Sequence, residues 1–290
     1  MTILFPSSYL NKRKPDEEYE KEYKAAVNNG FDVVLFDQEK WDRGGVVSIN
    51  ETLVSEDISI YRGWMMKPED YVLFSNQLND LGIALLVTPS EYKNLHVFKN
   101  SYPYVAEDAP KTLFYNSVSD IDLEYISNSI GRFMVKDFVK SVKGTDFPKC
   151  FDHPDKEYFD AQMQKFVEYR GDLFTGGIQV KEYLDLKEYA NTTNEYRVFY
   201  LDGQVLSITR NSGQPVDTNR PSDKLIQKYS RLQSSFYTVD YAECADGSFK
   251  VIETGDGGVS GLPDTLSPDL FYKEVREVMQ ARNKDVEFER

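Results

Sequence analysis

Cysteine and histidine are scarce in this 290-residue chain, which holds two of each. Cys150 and Cys244 stand alone, without the paired spacing of a zinc site or a redox motif, and they imply no disulfide framework. His96 and His153 fall in no ligand-like pattern and read as surface or helix-start residues. A Ser-His-Asp hydrolase and a histidine-rich metal centre are therefore disfavoured. Long hydrophobic runs are lacking too. The longest, around Ile83–Val87, falls far short of the roughly 20 residues needed to span a bilayer. The opening MTILFPSSYL lacks the apolar length of a signal peptide. These absences together predict a cytoplasmic setting. Positive charge is also short: 34 Lys and Arg face 48 Asp and Glu, for a net charge of −14. Such a surface repels phosphate backbones and anionic membranes, so general nucleic-acid or membrane binding is not expected. A polyanionic ligand would need a metal or a local cluster of cations, which gives each well-placed Lys or Arg added weight. Familiar phosphate loops are missing. There is no GxxxxGK[ST], GDGGVSG lacks the GxGxxG spacing, and Ser260 fails the GxSxG elbow because residue 262 is Leu.

What the chain does have is aromatic packing material, with 20 Tyr and 18 Phe, and a change of pattern partway along. The front alternates strand and helix. Ile3–Phe5, Val33–Phe36, Ile58–Tyr61 and Ile83–Val87 read as strands. Asp16–Asn29 and Pro68–Leu81 read as helices stopped by Gly30 and Gly82. In the first helix Tyr19, Tyr23 and Ala26 or Val27 share a face. This alternation predicts a parallel α/β layer over roughly residues 1–110. After residue 130 strands dominate: Phe133–Phe138, Gly177–Leu184, Tyr196–Tyr200, Val205–Arg210, Phe236–Glu243 and Phe249–Glu253, with turns at Asp202-Gly203 and Asp246-Gly247. A helix over Tyr158–Arg170 buries Phe159, Met163, Phe166 and Val167, and a last one starts at Ser267-Pro268 with Phe271, Val275 and Val278 on one side. The fold class expected is an α/β N-terminal domain followed by an α+β body with antiparallel sheet.

The most informative stretch is TVDYAECADGSFKVIETGDGGVSGLP, residues 238–263. It reads as two strands around the turn Ala245-Asp246-Gly247, with Asp240 and Glu253 near their ends and Asp256 close behind. Carboxylates meeting at one end of a hairpin suit Mg²⁺, which takes one or two protein carboxylates and completes its octahedron with phosphates and water. Two solvated carboxylates on an ordinary hairpin are the plainer alternative.

Several cations stand in strands where apolar residues belong. Lys136 lies in FMVKDF, and a half-buried lysine must find an anion or lose its charge. An outward-facing Lys on an exposed strand is the competing reading. Lys140 and Lys143 flank the loop that follows, in which Gly144 would permit folding over phosphates. Lys181-Glu182 ends an apolar strand. Arg197 and Arg210 sit on successive strands, and guanidinium forks suit phosphate or carboxylate oxygens.

A strand lysine, a Lys-Glu strand end, two strand arginines and a terminal Asp/Glu hairpin, in that order, resemble the ATP-grasp superfamily. The closest resemblance is to its divergent clade named for two arginines and a lysine. That clade includes a cell-division-cycle factor assisting assembly of a eukaryotic translation-initiation complex, and bacterial and phage proteins. The Lys-, Asn- and Tyr-rich composition suits a phage or low-GC bacterial source. The resemblance implies an α/β pre-ATP-grasp domain over 1–115 and an ATP-grasp domain over 116–290, with two lobes and a hinge near 181–186. It implies ATP and Mg²⁺ as ligands. Lys136 would contact the phosphates, and Lys181 would lie near adenine and phosphate. Backbone around Glu182, Tyr183 and Leu184 would meet the adenine edge, and Asp185 or Glu188 would hold the ribose. Arg197 and Arg210 would steady the phosphates and the acyl-phosphate being formed. Asp240 and Glu253 would bind the metal, with Asp256 a third ligand in a chain that has Gly255 where many relatives have Asn. Arg62 resembles a substrate-side arginine, with Trp64 shaping its pocket. The activity implied is a carboxylate–amine ligase working through an acyl-phosphate, with a peptide or protein among the candidate substrates. A non-catalytic ATP-binding assembly factor for a protein partner is the alternative, and phosphoryl transfer to a hydroxyl a third.

Overall fold

The computed structural model describes residues 1–50, 58–142, 144–190, 192–214 and 217–288. The chain opens with β1 (Thr2–Pro6), α1 (Glu20–Asn28), β2 (Asp32–Phe36), α2 (Gln38–Gly44), β3 (Ser59–Tyr61) and α3 (Pro68–Asp80). The three strands form a parallel sheet in the order β2-β1-β3. β1 is buried along its whole length, as expected of a strand covered on both faces. Ala26 rather than Val27 faces the core in α1, Val27 being 46% exposed. The expected fourth strand at Ile83–Val87 is reduced to one bridge, Leu85 beside Ser59. β3 offers only three residues to pair with, and Thr88-Pro89 at once begins a new helix.

That helix is α4 (Pro89–His96), set by a reciprocal capping box between Thr88 and Glu91. It is followed by α5 (Phe98–Val105). Next come β4 (Thr112–Tyr115), α6 (Leu123–Ser129), β5 (Phe133–Asp137), α7 (Lys156–Arg170) and β6 (Ile178–Glu182). The strands form an antiparallel sheet in the order β4-β6-β5. Phe133, Val135, Ile178 and Val180 pack there against Ile126 of α6 and Phe159, Met163 and Phe166 of α7. Val167 is not in that core; it is 42% exposed, one step beyond the buried stripe.

The remaining elements are β7 (Glu188–Tyr189), β8 (Thr192–Thr193), β9 (Glu195–Leu201), β10 (Gln204–Arg210), α8 (Asp223–Lys228), β11 (Phe236–Glu243), β12 (Phe249–Asp256) and α9 (Pro268–Phe288). β10-β9-β11-β12 is an antiparallel sheet, and β7 pairs with β8. Alternation along these strands gives the larger sheet two faces. One carries Val198, Tyr200, Tyr237, Val239, Tyr241 and Val251 onto Leu95 and Phe98. The other is apolar at Phe199, Leu201 and Phe236, which join the core shared by β1, α1 and α9. Further along, that same face turns polar at Arg197, Asp240 and Glu253.

Candidate functional site

Asp240 and Glu253 are direct partners across β11 and β12, so their side chains leave the sheet on the same face. They lie within the strands and not at a hairpin end as expected, because β12 runs on to Asp256. A bulge opposite Asp240 and Tyr241 ends the regular register beside the pair. Arg197 is the partner of Asp240 on the neighbouring strand β9. Its Nε donates to Asp240 Oδ1 at 2.9 Å and its Nη2 to Oδ2 at 2.7 Å. Its Nη1 reaches Gly261 O at 3.0 Å. Lys136, from β5 in the other sheet, faces Glu253 at 3.7 Å.

The electrostatics separate the two carboxylates. Burial raises the Asp240 carboxyl, opposed by Arg197, and the Glu253 charge pushes it further up. Burial acts upward on Glu253 too, but Lys136, Lys140, Lys181 and Arg197 outweigh it and hold it at about 2. Lys181 is buried, donates to Ile252 O, and lies 4.6 Å over the Phe98 ring. Burial, reinforced by the charge on Lys136, brings its amine down to about 7.

Two adjoining pockets meet at this cluster. The larger, about 540 Å³, runs from Lys136, Lys181 and Glu253 to Glu182, Tyr183, Leu184, Asp185 and Glu188. Its size falls within the range usual for small-molecule sites. The smaller, about 210 Å³, is walled by Met65, His96, Arg197, Thr238, Asp240 and Ser260, among others, and shares Lys140 and Glu253 with the larger. The hinge backbone is partly committed. Glu182 N–H donates to Lys111 O and Tyr183 N–H to Arg132 O, whereas Leu184 N–H meets no protein acceptor among the described residues.

Four expected positions stand elsewhere. Arg62 is 1% exposed and fully engaged: Nε and Nη2 hold Glu22, and Nη1 holds the carbonyls of Gly257 and Ser260. It pins a loop and does not face the cleft. Trp64 packs on Tyr19 and directs its N–H at Asp16; Met65 is the residue that borders the smaller pocket. Arg210 pairs with Tyr196, and Thr209 with Arg197, so Arg210 leaves the sheet on the face opposite Arg197. Asp256 pairs with Tyr237, three residues beyond Glu253, and also emerges on the opposite face. There its Oδ1 accepts from Gly258 N–H, and burial pushes its carboxyl up to about 7. Lys143 lies outside the described residues.

Sequence reasoning missed His96, Met65, Met134 and Ile252 in the pocket walls. His96 is not a surface residue: it is 8% exposed and ends α4. Its spacing of four from the buried Tyr92 was the available signal. His153, by contrast, is exposed as expected.

A family model described as an ATP-grasp domain, family 3 of the clade named for two arginines and a lysine, matches residues 126–275. No curated protein matches the chain. Among solved structures, ATP-grasp ligase PsnB complexed with a minimal precursor superposes with a TM-score of 0.59 at 13% identity, covering 95% of this chain and 98% of that one. D-cycloserine synthetase DcsG gives 0.62 at 12%, covering 96% and 99%. The D-alanine–D-alanine ligase of Bacillus anthracis complexed with ATP gives 0.61 at 12%, covering 100% and 99%. At these identities the likeness is one of fold.

Proposed function

This chain belongs to the ATP-grasp superfamily, through family 3 of its two-arginine, one-lysine clade, and from that premise we propose an ATP- and Mg²⁺-dependent ligase. It activates a carboxylate as an acyl-phosphate and passes the acyl group to an amine. The observation that carries this reading is the Asp240–Glu253 pair, in register across two strands, with Asp240 lining the smaller pocket and Glu253 lining both.

The donor set fits Mg²⁺. Two carboxylates face each other with mutual repulsion that a cation relieves, and Mg²⁺ asks for no more than one or two protein carboxylates beside phosphates. Asp240 is engaged by Arg197, but a carboxylate has about four lone-pair sites and keeps capacity for a metal. Once bound, the ion would neutralise phosphate charge and align the reacting oxygens.

The chain's own residues do the rest. Leu184 N–H meets the adenine edge, with Met134 and Ile252 giving an apolar wall. Asp185 or Glu188 takes the ribose. Lys136 and Lys181 hold phosphate oxygens, and Arg197, fixed by Asp240 and Gly261 O, stabilises charge at the transferring group. The smaller pocket admits the acceptor carboxylate. No protein nucleophile is needed, and positioning supplies much of the rate.

Calorimetric ATP binding with and without Mg²⁺, on the native chain, Asp240→Asn and Glu253→Gln, tests the site. Mg²⁺-dependent affinity unchanged in both variants would refute the metal assignment. ADP and phosphate release across a panel of small carboxylates, amino acids and peptides then tests turnover. Tight binding with no acceptor-dependent release would favour an ATP-binding assembly factor instead.

A further inference from the structure

His96 closes α4 and is 8% exposed. Its ring stacks on Tyr92 with centroids 4.8 Å apart, and Tyr92 stacks on Tyr71 at 3.9 Å. The Tyr92 hydroxyl donates to Met66 O and accepts from Met66 N–H, which fixes the stack. The imidazole is thus preorganised by its support. Among the described residues, however, neither ring nitrogen has a hydrogen-bond partner. The ring forms part of the wall of the 210 Å³ pocket.

The other polar groups of that pocket are largely taken. Arg197 already gives three of its N–H groups to Asp240 and Gly261 O, and the Thr238 and Ser260 hydroxyls bond each other. Burial and then the Lys140 charge bring the imidazole down to about 4, against the pull of Glu253. Near neutrality it therefore offers one N–H donor and one acceptor nitrogen. Lys140 and Glu253 also border the larger pocket, whose far end is the Glu182–Leu184 hinge. A nucleotide with its base at that hinge sends its terminal phosphate to the wall formed by Lys140 and Glu253, the two charged residues whose fields His96 feels from the smaller pocket.

We propose that His96 donates a hydrogen bond to the terminal phosphoryl group of the bound nucleotide, a role that rests on the nucleotide reading above. In the transfer, the bond from the terminal phosphorus to the β–γ bridging oxygen breaks and its electron pair leaves on ADP. A new bond forms from that phosphorus to an acceptor carboxylate oxygen, and His96 gives up no proton. The contact links α4 to the occupancy of the cleft, so the helix senses whether the third phosphate is present.

Imidazole NMR tests this directly, because the chain has two histidines and the exposed His153 serves as an internal control. The full chain is titrated with Mg-ADP and, separately, with the non-hydrolysable triphosphate Mg-AMPPNP. The His96 signal should move with the triphosphate and stay nearly still with ADP, while His153 moves with neither. His96→Ala should weaken AMPPNP about tenfold and ADP less than about twofold, and His96→Gln, which keeps an N–H donor, should recover most of the loss. A His96 signal responding alike to both nucleotides overturns the role and leaves the nucleotide reading standing. Failure of both nucleotides to bind overturns the two together. Should His96→Ala fail to fold, the native-chain titration decides alone.

Discussion

Arg62 and Arg197 each grip a carboxylate with two hydrogen bonds, and each also holds the loop over residues 257–261 by its carbonyls. Their surroundings differ. Arg62 and Glu22 are sealed, with the Tyr272 hydroxyl completing Glu22 and the Phe271 ring 5.8 Å from the guanidinium. Nothing in that pair is left to bind a ligand. Arg197 keeps 24% of its side chain accessible, and its partner Asp240 faces a second carboxylate, Glu253. Like charge next to an open pocket is chemistry held in reserve, whereas a closed ion pair is architecture. The same guanidinium geometry therefore serves two ends, and what separates them is the unbalanced neighbour.

The largest effect that would test this contrast is on stability. Arg62→Ala leaves Glu22 buried without its cation and releases the Gly257 and Ser260 carbonyls, so the cost should be about 3–5 kcal/mol in urea unfolding. The double variant Arg62→Met, Glu22→Leu should recover a large part of it, since no buried charge remains. A single-variant loss below about 1 kcal/mol would put the Arg62 pair on the same footing as a surface pair.

Glu253→Gln should show the opposite balance. Its side chain is 36% accessible, so the cost to folding should be well below that of Arg62→Ala. Mg²⁺-dependent ATP affinity should fall at least about tenfold, each tenfold being about 1.4 kcal/mol. Because the Glu253 carboxyl lies at about 2, it stays ionised well into acid, and the deficit of Glu253→Gln relative to the native chain should be the same between about pH 5 and 8. The folded value is depressed, so the stability Glu253 contributes is present above its unfolded pKa, about 4.3. It is lost as pH falls from there through about 2. A deficit that shrinks as pH falls from 7 to 5 would remove Glu253 from the metal site.

The contrast also explains what was legible in the sequence. Strands of alternating or continuous apolar residues, such as β11 and β6, and glycine-stopped helices such as α3 could be read from periodicity and end signals. So could the residues a cleft strings together along consecutive strands, from Lys136 to Glu253. The direction of a side chain depends on register, and register is settled by tertiary pairing. One residue separates Arg210 from Thr209, and that step moves it to the wrong face. Asp256 is an odd number of residues from Glu253 and is lost to the cleft for the same reason. Arg62 resembled a substrate arginine because its partner, Glu22, lies 40 residues away with nothing local to announce it.

Lys181 sharpens the comparison from the side of the cations, with a smaller effect. Its amine sits at about 7 in the fold and at about 10.4 in the unfolded chain, so between those values the unfolded state binds more protons. Stability should therefore rise with pH across that window, and Lys181→Met should flatten the rise. Phosphates arriving beside Lys181 should restore its charge, so ATP binding near pH 8 should take up a fraction of a proton. Calorimetry in two buffers of different ionisation enthalpy measures that uptake. No uptake, or equal uptake in Lys181→Met, would detach Lys181 from the phosphates.

The smallest effect concerns the hinge, where Asp185 and Glu188 both border the larger pocket. Asp185 Oδ1 already accepts from Arg132 Nη1 at 2.9 Å, an exposed pair of the kind worth about 0–1 kcal/mol. Its backbone is occupied as well, since Asp185 O accepts from Ala245 N–H. Glu188 pairs through its backbone with Thr193, and its carboxylate has no rival claim on it among the described residues. Glu188 is then the better ribose ligand. Glu188→Gln, which keeps an acceptor oxygen but loses the charge, should lower ATP affinity by roughly threefold to tenfold, about the net worth of one ordinary hydrogen bond. It should also erase most of the preference for ATP over 2′-deoxy-ATP. Asp185→Asn should leave both quantities within about twofold, and the reverse pattern would hand the ribose to Asp185.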